Sequence, residues 1–213
     1  METLETYYAK RAAEYEKIFE KPERQADLAR MRLDIPALCA GERVLEIACG
    51  TGYWTPLIAA KAESVLATDY NEETLAIARS KRYPKGNVRF ERADAYALPA
   101  WPQKFSACYA GFWWSHVPVR KLEEFLTGLH GRLQPGARVV FMDNRYVEGS
   151  STAISRADGD GNTYQSRKLA DGSRHEVLKN FPSAADLRAR LGHGVELTEY
   201  EYYWLASYRI MAA

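Results

Sequence analysis

Little in this sequence points to secretion, to a membrane or to a polyanion. Only three cysteines occur among 213 residues: Cys39, Cys49 and Cys108. Three is too few, and an odd number, for a disulfide framework, so a reducing compartment, the cytoplasm, is expected. The first ten residues lack the apolar core of a signal peptide, and no run approaches the roughly 18 apolar residues of a membrane span. Charge of one sign is also missing. The 29 Lys and Arg stand against 28 Asp and Glu, a formal net charge of +1, which argues against broad electrostatic capture of nucleic acid or anionic lipid. Residues 1–32 carry seven basic and seven acidic side chains, so they form no basic tail. No internal repeat, low-complexity tract or linker interrupts the chain. What is present is an ordinary globular composition, 46% hydrophobic and 27% charged, in a length suited to one domain. A chain this long buries about 70% of its unfolded surface and needs no disulfide or structural metal. Fourteen tyrosines and five tryptophans suit a pocket for a planar or cationic ligand, or a plain core.

The chain begins helical. Leu4, Tyr7, Tyr8, Tyr15, Ile18 and Phe19 recur at helical spacing, Pro22 opens a second helix to about Leu33, and Ile35-Pro36 ends it. From Gly41 onward strands alternate with helices. Strands are expected at 44–48, 64–68, 88–93, 105–110 and 138–142. Helices are expected at 56–62, at 72–82 and along Leu122, Phe125, Leu126, Leu129 and Leu133, with Thr55 and Asn71 as N-cap candidates. This is the pattern of a parallel sheet with helices on both faces. Residues 147–162, rich in Gly, Ser, Asp and Asn, read as a long loop. Residues 164–169 and 174–179 flank Ala170-Asp171-Gly172-Ser173 and predict a hairpin with Arg167 opposite Glu176 and Lys168 opposite His175. In that register Tyr164, Ser166, Val177 and Lys179 share the face of Lys168 and His175. Ser183 and Asp186 resemble a capping box for a helix to about Leu191, and strands at 195–200 and 202–209 follow.

The most informative segment is VLEIACGTG at 44–52. It places Glu46 in a buried strand and Gly50 and Gly52 in the turn after it, where the backbone can approach a ligand and helix N–H groups can meet an acceptor. A dinucleotide fingerprint needs a third glycine where Thr55 stands and usually a glycine at Ala48, and no Gly-Lys-Ser/Thr phosphate loop follows. Asp69 ends the second strand, 17 residues beyond Gly52, where a carboxylate can accept from two ribose hydroxyls. Asp94 ends the third, and with the Ala95 N–H it can read an adenine edge. Gly111 ends the fourth. Ligands bind at the carboxyl ends of strands in open parallel sheets.

With these pieces in hand, the chain resembles the class I S-adenosylmethionine-dependent methyltransferases. The matching segments are VLEIACGTGYW (44–54), VLATDYNEETLAIAR (65–79), VRFERADAYALP (88–99), FSACYAG (105–111) and LQPGARVVFMD (133–143), in order and at the family's spacing. The resemblance covers roughly residues 40–145. It implies a Rossmann-like α/β fold with a seven-stranded, mostly parallel sheet, helices on both faces and a final antiparallel strand. It also implies S-adenosylmethionine as cofactor, with S-adenosylhomocysteine as product. The expected cofactor contacts are Tyr15, Glu46, Ala48, Cys49, Gly50, Gly52, Trp54, Asp69, Tyr70, Asn71, Asp94, Ala95 and Gly111. Glu46 would orient the glycine loop and approach the methionine amine. The expected layout is a single domain: a helical cap over 1–40, a cofactor core over 41–145, a loop and hairpin lid over 146–182, and a last helix and strand pair over 183–213.

Methyl transfer from a sulfonium is an in-line displacement from an activated donor, so the protein chiefly aligns and desolvates, and a base is needed only if the acceptor loses its proton early. Residues 111–116, Gly-Phe-Trp-Trp-Ser-His, form the expected acceptor wall. His116 is the candidate proton acceptor, with substrate hydrogen bonding or simple packing as alternatives. Trp113 or Trp114 could stack on a substrate ring or shield the sulfonium. Tyr7, Tyr8, Arg11 and Tyr15 lie on the helix expected to close over the cofactor. Arg145, Tyr146, Tyr164, His175 and Lys179 are the expected lid, and their basic groups suit an acceptor with a carboxylate. The base-amino Pro-Pro motif and the Pro-Cys nucleophile of nucleic-acid methyltransferases are missing, and metal is not expected. Asp158-Gly159-Asp160-Gly161-Asn162 lacks the sixth-position glycine and twelfth-position glutamate of a calcium loop. The expected reaction is therefore methylation of a small-molecule acceptor, with no nucleic-acid or membrane partner. Methylation of protein or RNA, a non-catalytic nucleoside binder and a nicotinamide enzyme are the other readings. The acceptor atom and the oligomeric state are not legible.

Overall fold

The computed structural model describes residues 4–211. Its centre is a seven-stranded sheet in the order β3-β2-β1-β4-β5-β10-β9. The strands are β1 (Arg43–Ile47), β2 (Ser64–Asp69), β3 (Val88–Arg92), β4 (Phe105–Gly111), β5 (Leu133–Asn144), β9 (Glu196–Glu199) and β10 (Tyr203–Arg209). β1 to β5 pair in parallel, and β10 runs antiparallel to both β5 and β9. The chain moves outward through β2 and β3, then crosses back to β4. That reversal opens a crevice beyond the carboxyl ends of β1 and β4.

β1 and β4 are buried on both faces because helices cover the sheet from each side. One core gathers Val44, Tyr109, Val140 and Met142 under α2 (Gln25–Leu38) and α3 (Thr55–Ala59). The other gathers Leu45, Ile47, Cys108 and Phe141 under α5 (Leu122–His130) and α6 (Ala184–Leu191). The odd and even residues of β1 thus feed opposite cores, as the two-residue period of a strand requires. α4 (Glu72–Ser80) follows β2.

Several details depart from expectation. Pro36 lies inside α2, which runs on to Leu38; the helix forgoes one N–H donor there, and burial of Ile35 and Pro36 holds the last turn. Thr55 is the first residue of α3 and not its cap, and Asn71 caps α4 without a side-chain hydrogen bond. The N-terminal arm is α1 (Leu4–Arg11) followed by a 3-10 helix, Ala12–Phe19. The Ser183–Asp186 capping box is present on α6. The 147–162 stretch is not wholly loop: β6 (Arg156–Ala157) pairs with β7 (Thr163–Lys168), which pairs with β8 (Arg174–Leu178), giving a small three-stranded sheet.

The hairpin register differs by one residue. Arg167 faces His175, and Ser166 faces Glu176. The turn has three residues, with Leu169 and Ser173 closing it and Gly172 left-handed at φ 86°. A one-residue slip turns every side chain over. Gln165, Arg167, His175 and Val177 therefore share one face, and Tyr164 falls on the other. There Arg156 stacks on the Tyr164 ring at 3.6 Å and Asp158 accepts from its hydroxyl at 2.9 Å.

Candidate active site

The crevice at the strand ends holds a cavity lined by Ala48 and Gly50 from the β1 loop, Asp69 to Asn71, Asp94 to Tyr96, and Gly111 to Trp113. α1 and the 3-10 helix close it with Tyr8 and Tyr15. Ala48 (φ 51°) and Phe112 (φ 58°), the two non-glycine residues with left-handed backbone among the described residues, both line it. Such strain persists where surrounding structure enforces it, typically at binding sites.

Asp69 ties the floor together. Its Oδ2 accepts from the Gly50 N–H at 2.9 Å, and its Oδ1 from the Asn71 N–H at 2.9 Å and the Thr74 hydroxyl at 3.0 Å. Burial pushes its pKa up, and these hydrogen bonds offset part of that. The Tyr70 backbone N–H adds a fourth hydrogen bond, so the carboxylate is held firmly at the cavity wall. Asp94 is exposed at the rim, with Oδ1 accepting from the Tyr96 N–H at 2.9 Å.

Two glycines are bare for reasons of packing. A Cβ on Gly52 would stand 2.9 Å from the Cβ of Ala78, so Gly52 seats α4 against the loop. A Cβ on Gly111 would meet the Tyr109 hydroxyl at 2.4 Å. Neither Gly52, Cys49, Glu46 nor Trp54 lines the cavity. Trp54 packs among Phe19, Tyr53 and Tyr109. Glu46 lies beneath the loop, 1% exposed, with Oε2 lacking a partner, and burial pushes its pKa up to about 8.

His116 stands where the cavity turns toward a second, polar one. Its Nδ1 meets the Leu178 carbonyl at 2.7 Å and must therefore donate, leaving Nε2 to accept from the Tyr8 hydroxyl at 2.7 Å. Burial, then the cations Lys179 and Arg167, hold its pKa well below the usual histidine range, so the ring is neutral. The second cavity lies between α1, the 3-10 helix and the hairpin, and it shares Tyr8, Tyr15, Phe112 and His116 with the first.

At its back Lys179, 4% exposed, donates to Asp143 Oδ1 at 2.8 Å and to the Ser115 hydroxyl at 2.6 Å. Burial lowers the Lys179 pKa to about 8. Burial also works against the Asp143 anion, but the Lys179 charge, its hydrogen bond and that of the Ser115 N–H outweigh it and hold that carboxyl below its ordinary range.

The remaining expected site residues divide. Trp113 lines the first cavity, resting on Tyr96 and Phe125. Trp114 is turned away from both, its indole between Phe141 and Trp204 in the core. Tyr7 and Lys179 line the second cavity. Arg145 and Tyr146 do not: Arg145 donates to the Tyr200 carbonyl and pairs with Glu199 at 3.7 Å, and Tyr146 packs on Phe181. Tyr164 lies on the outer hairpin face, and His175 packs beside Tyr7 and bonds the Ser173 hydroxyl at 2.7 Å. Sequence reasoning placed Phe112 in the acceptor wall but missed Thr68 and Arg167. The signal for Arg167 was the hairpin register, read one residue out. Among the described residues no group of three or more His, Cys, Asp and Glu is placed to hold a metal ion, and no helix is long and apolar enough to cross a membrane.

Residues 44–136 match the family described as "Methyltransferase domain". The chain is similar over those residues to methyltransferases, and the match spans less than half of it. It is 35% identical over 106 residues to the demethylmenaquinone methyltransferase of Clavibacter sepedonicus, covering 49% of this chain and 42% of that protein. It is 31% identical over 135 residues to the ubiquinone/menaquinone biosynthesis C-methyltransferase UbiE of Pseudomonas paraeruginosa, covering 60% of this chain and 51% of that one. The chain thus spans about half the length of these curated relatives. A longer likeness is to DhpI in complex with SAH: 27% identity, TM-score 0.78, 98% of this chain and 95% of DhpI. DhpI has also been solved as a DhpI-SAM-HEP complex. The donor set of the first cavity fits an S-adenosylmethionine cofactor. The Asp69 carboxylate in its wall and the Asp94 carboxylate at its rim are acceptors that hydroxyl and amino groups of such a cofactor can meet.

Proposed function

We propose that this protein transfers a methyl group from S-adenosylmethionine to a small-molecule acceptor, with the cofactor in the cavity at the strand ends and the acceptor in the polar cavity beside it. The single observation that carries this reading is the wall the two cavities share, made by Tyr8, Tyr15, Phe112 and His116. A methyl group crossing from one to the other must pass these side chains.

Asp69 would hold the ribose hydroxyls, and Asp94 with Ala95 the adenine edge. Bound there, the cofactor supplies an electrophilic methyl on sulfur. The protein's part is alignment and exclusion of water. α1 and its aromatic side chains cover the reaction, since Tyr8 and Tyr15 pack edge to face with centroids 6.0 Å apart. The Tyr8 hydroxyl, held by its donation to neutral His116 Nε2, can accept a hydrogen bond from the acceptor and align it for attack. The second cavity is bounded by α1 and the hairpin, which suits a small molecule better than a protein or a nucleic acid. Incubation with S-adenosylmethionine and a panel of small acceptors tests the reading. Acceptor-dependent formation of S-adenosylhomocysteine supports it. Binding of the cofactor with no turnover on any acceptor would reduce the protein to a binder.

A further inference from the structure

We infer that the second cavity is an anion site, and that the acceptor carries an acidic oxyanion group, carboxylate or phosphoryl, held by Arg167 and Arg24 with Lys179 behind them. The inference rests on the functional reading above and names the class of its acceptor.

The charge on the lining decides it. Arg11, Lys17, Lys21, Arg24, Arg167, Lys168 and Lys179 all line this cavity, against the single carboxylate of Glu14. Seven of the chain's 29 Lys and Arg thus stand on one wall of a protein whose net charge is only +1. Asp143 answers only Lys179, and Glu23 stands 3.9 Å from Lys21.

The two arginines are anchored on neutral oxygens. Arg167 donates from Nε and Nη2 to Gln165 Oε1 at 3.2 and 2.7 Å. Arg24, only 6% exposed, donates to Asn144 Oδ1 at 2.9 Å and to the Ser150 hydroxyl at 3.1 and 3.0 Å. It lies over the rings of Tyr202 and Tyr203. Each guanidinium is thus fixed in position: Arg167 also bonds the Tyr7 and Tyr8 hydroxyls and meets no carboxylate among the described residues, and Arg24 has exposed Glu23 near it, which accepts from Ser150 at 2.8 Å. Withdrawing such a charge from water is costly unless a counter-charge arrives. Arg167 and Arg11 also depress the Lys179 ammonium after burial has done so, a like-charge crowding that an anion relieves. A planar fork at a desolvated wall suits a carboxylate or phosphoryl group. It is the wrong lining for an uncharged apolar acceptor.

The test is calorimetric titration of the whole chain, with and without S-adenosylhomocysteine, using inorganic phosphate, acetate and the neutral isostere acetamide as probes. Saturable one-to-one binding of phosphate or acetate is expected, with acetamide silent. Arg167→Gln and Arg24→Gln should each weaken it at least tenfold, and Arg167→Lys less. Affinity for S-adenosylhomocysteine should stay the same in these variants, which also reports that they fold. Preference for phosphate marks a phosphoryl acceptor, and preference for acetate a carboxylate. If neither anion binds, if acetamide binds as well, or if both glutamine variants bind undiminished, the anion site is overturned. Loss of S-adenosylhomocysteine binding by the wild type would instead overturn the methyltransferase reading, while the anion titration still stands on its own.

Discussion

The hydroxyl of Tyr8 and Nε2 of His116 lie 2.7 Å apart in the wall that both cavities share, and they come from opposite ends of the fold. Tyr8 arrives on α1 and His116 on the turn after β4. The site is complete only when the N-terminal arm is docked.

This pairing makes both residues matter to turnover more than to stability. Tyr8→Phe and His116→Asn are expected to lower kcat at least tenfold, with cofactor affinity changed by less than about threefold, roughly 0.65 kcal/mol. The His116 pKa lies below its ordinary 6.5, so turnover should hold steady from alkaline pH down to about 6.5 and fall only below it. Stability has the same sign. Below 6.5 the unfolded chain takes up a proton that the folded ring refuses, so stability is full above 6.5 and declines as pH falls. Unchanged kcat in both variants would reduce the pair to packing.

Glu46 predicts the opposite slope. Its folded pKa of about 8 exceeds the ordinary 4.5, so between those values the folded protein binds the extra proton and loses stability as pH rises. Glu46→Gln removes that dependence. The cofactor-free variant is expected to melt with the wild type at pH 5 and at least about 3 °C above it at pH 8, where a stabilisation of about 1 kcal/mol or more applies. Parallel melting curves at the two pH values would contradict the burial argument.

Lys179 and Asp143 form a buried pair, and removing one partner strands the other. Lys179→Met is expected to cost about 3–5 kcal/mol in urea unfolding. Adding Asp143→Asn should recover part of that loss, because the stranded carboxylate is then gone. A single variant with wild-type stability would mean that the pair is not formed.

Much of this was legible in the sequence because it depends on local chemistry. The succession of strands and helices follows from the alternating apolar runs. Asp69, Asp94 and the glycine loop are found because they sit at strand ends, where a ligand crevice must be. Gly52 and Gly111 show the limit: each glycine is visible, but its neighbour, Ala78 or Tyr109, comes from elsewhere and cannot be read locally. The acceptor side was less legible. Arg167 and Tyr164 exchanged faces through a single turn residue, since Gly172 closes a three-residue loop where four were counted. Arg145 and Tyr146 follow β5 directly, yet the end of β9 with the turn after it, and the chain after β8, draw them to another surface. Arg24 reaches its site across 120 residues to Asn144, a distance no local pattern encodes.

The most direct test of the central claim is titration of S-adenosylhomocysteine into the wild type and into Asp69→Ala. The account predicts one-to-one binding by the wild type and a loss of at least tenfold in the variant. Asp69 lines the cavity and holds the Gly50 N–H, and a charged hydrogen bond is worth about 1.5–3 kcal/mol. No binding by the wild type, or equal binding by the two proteins, would contradict it.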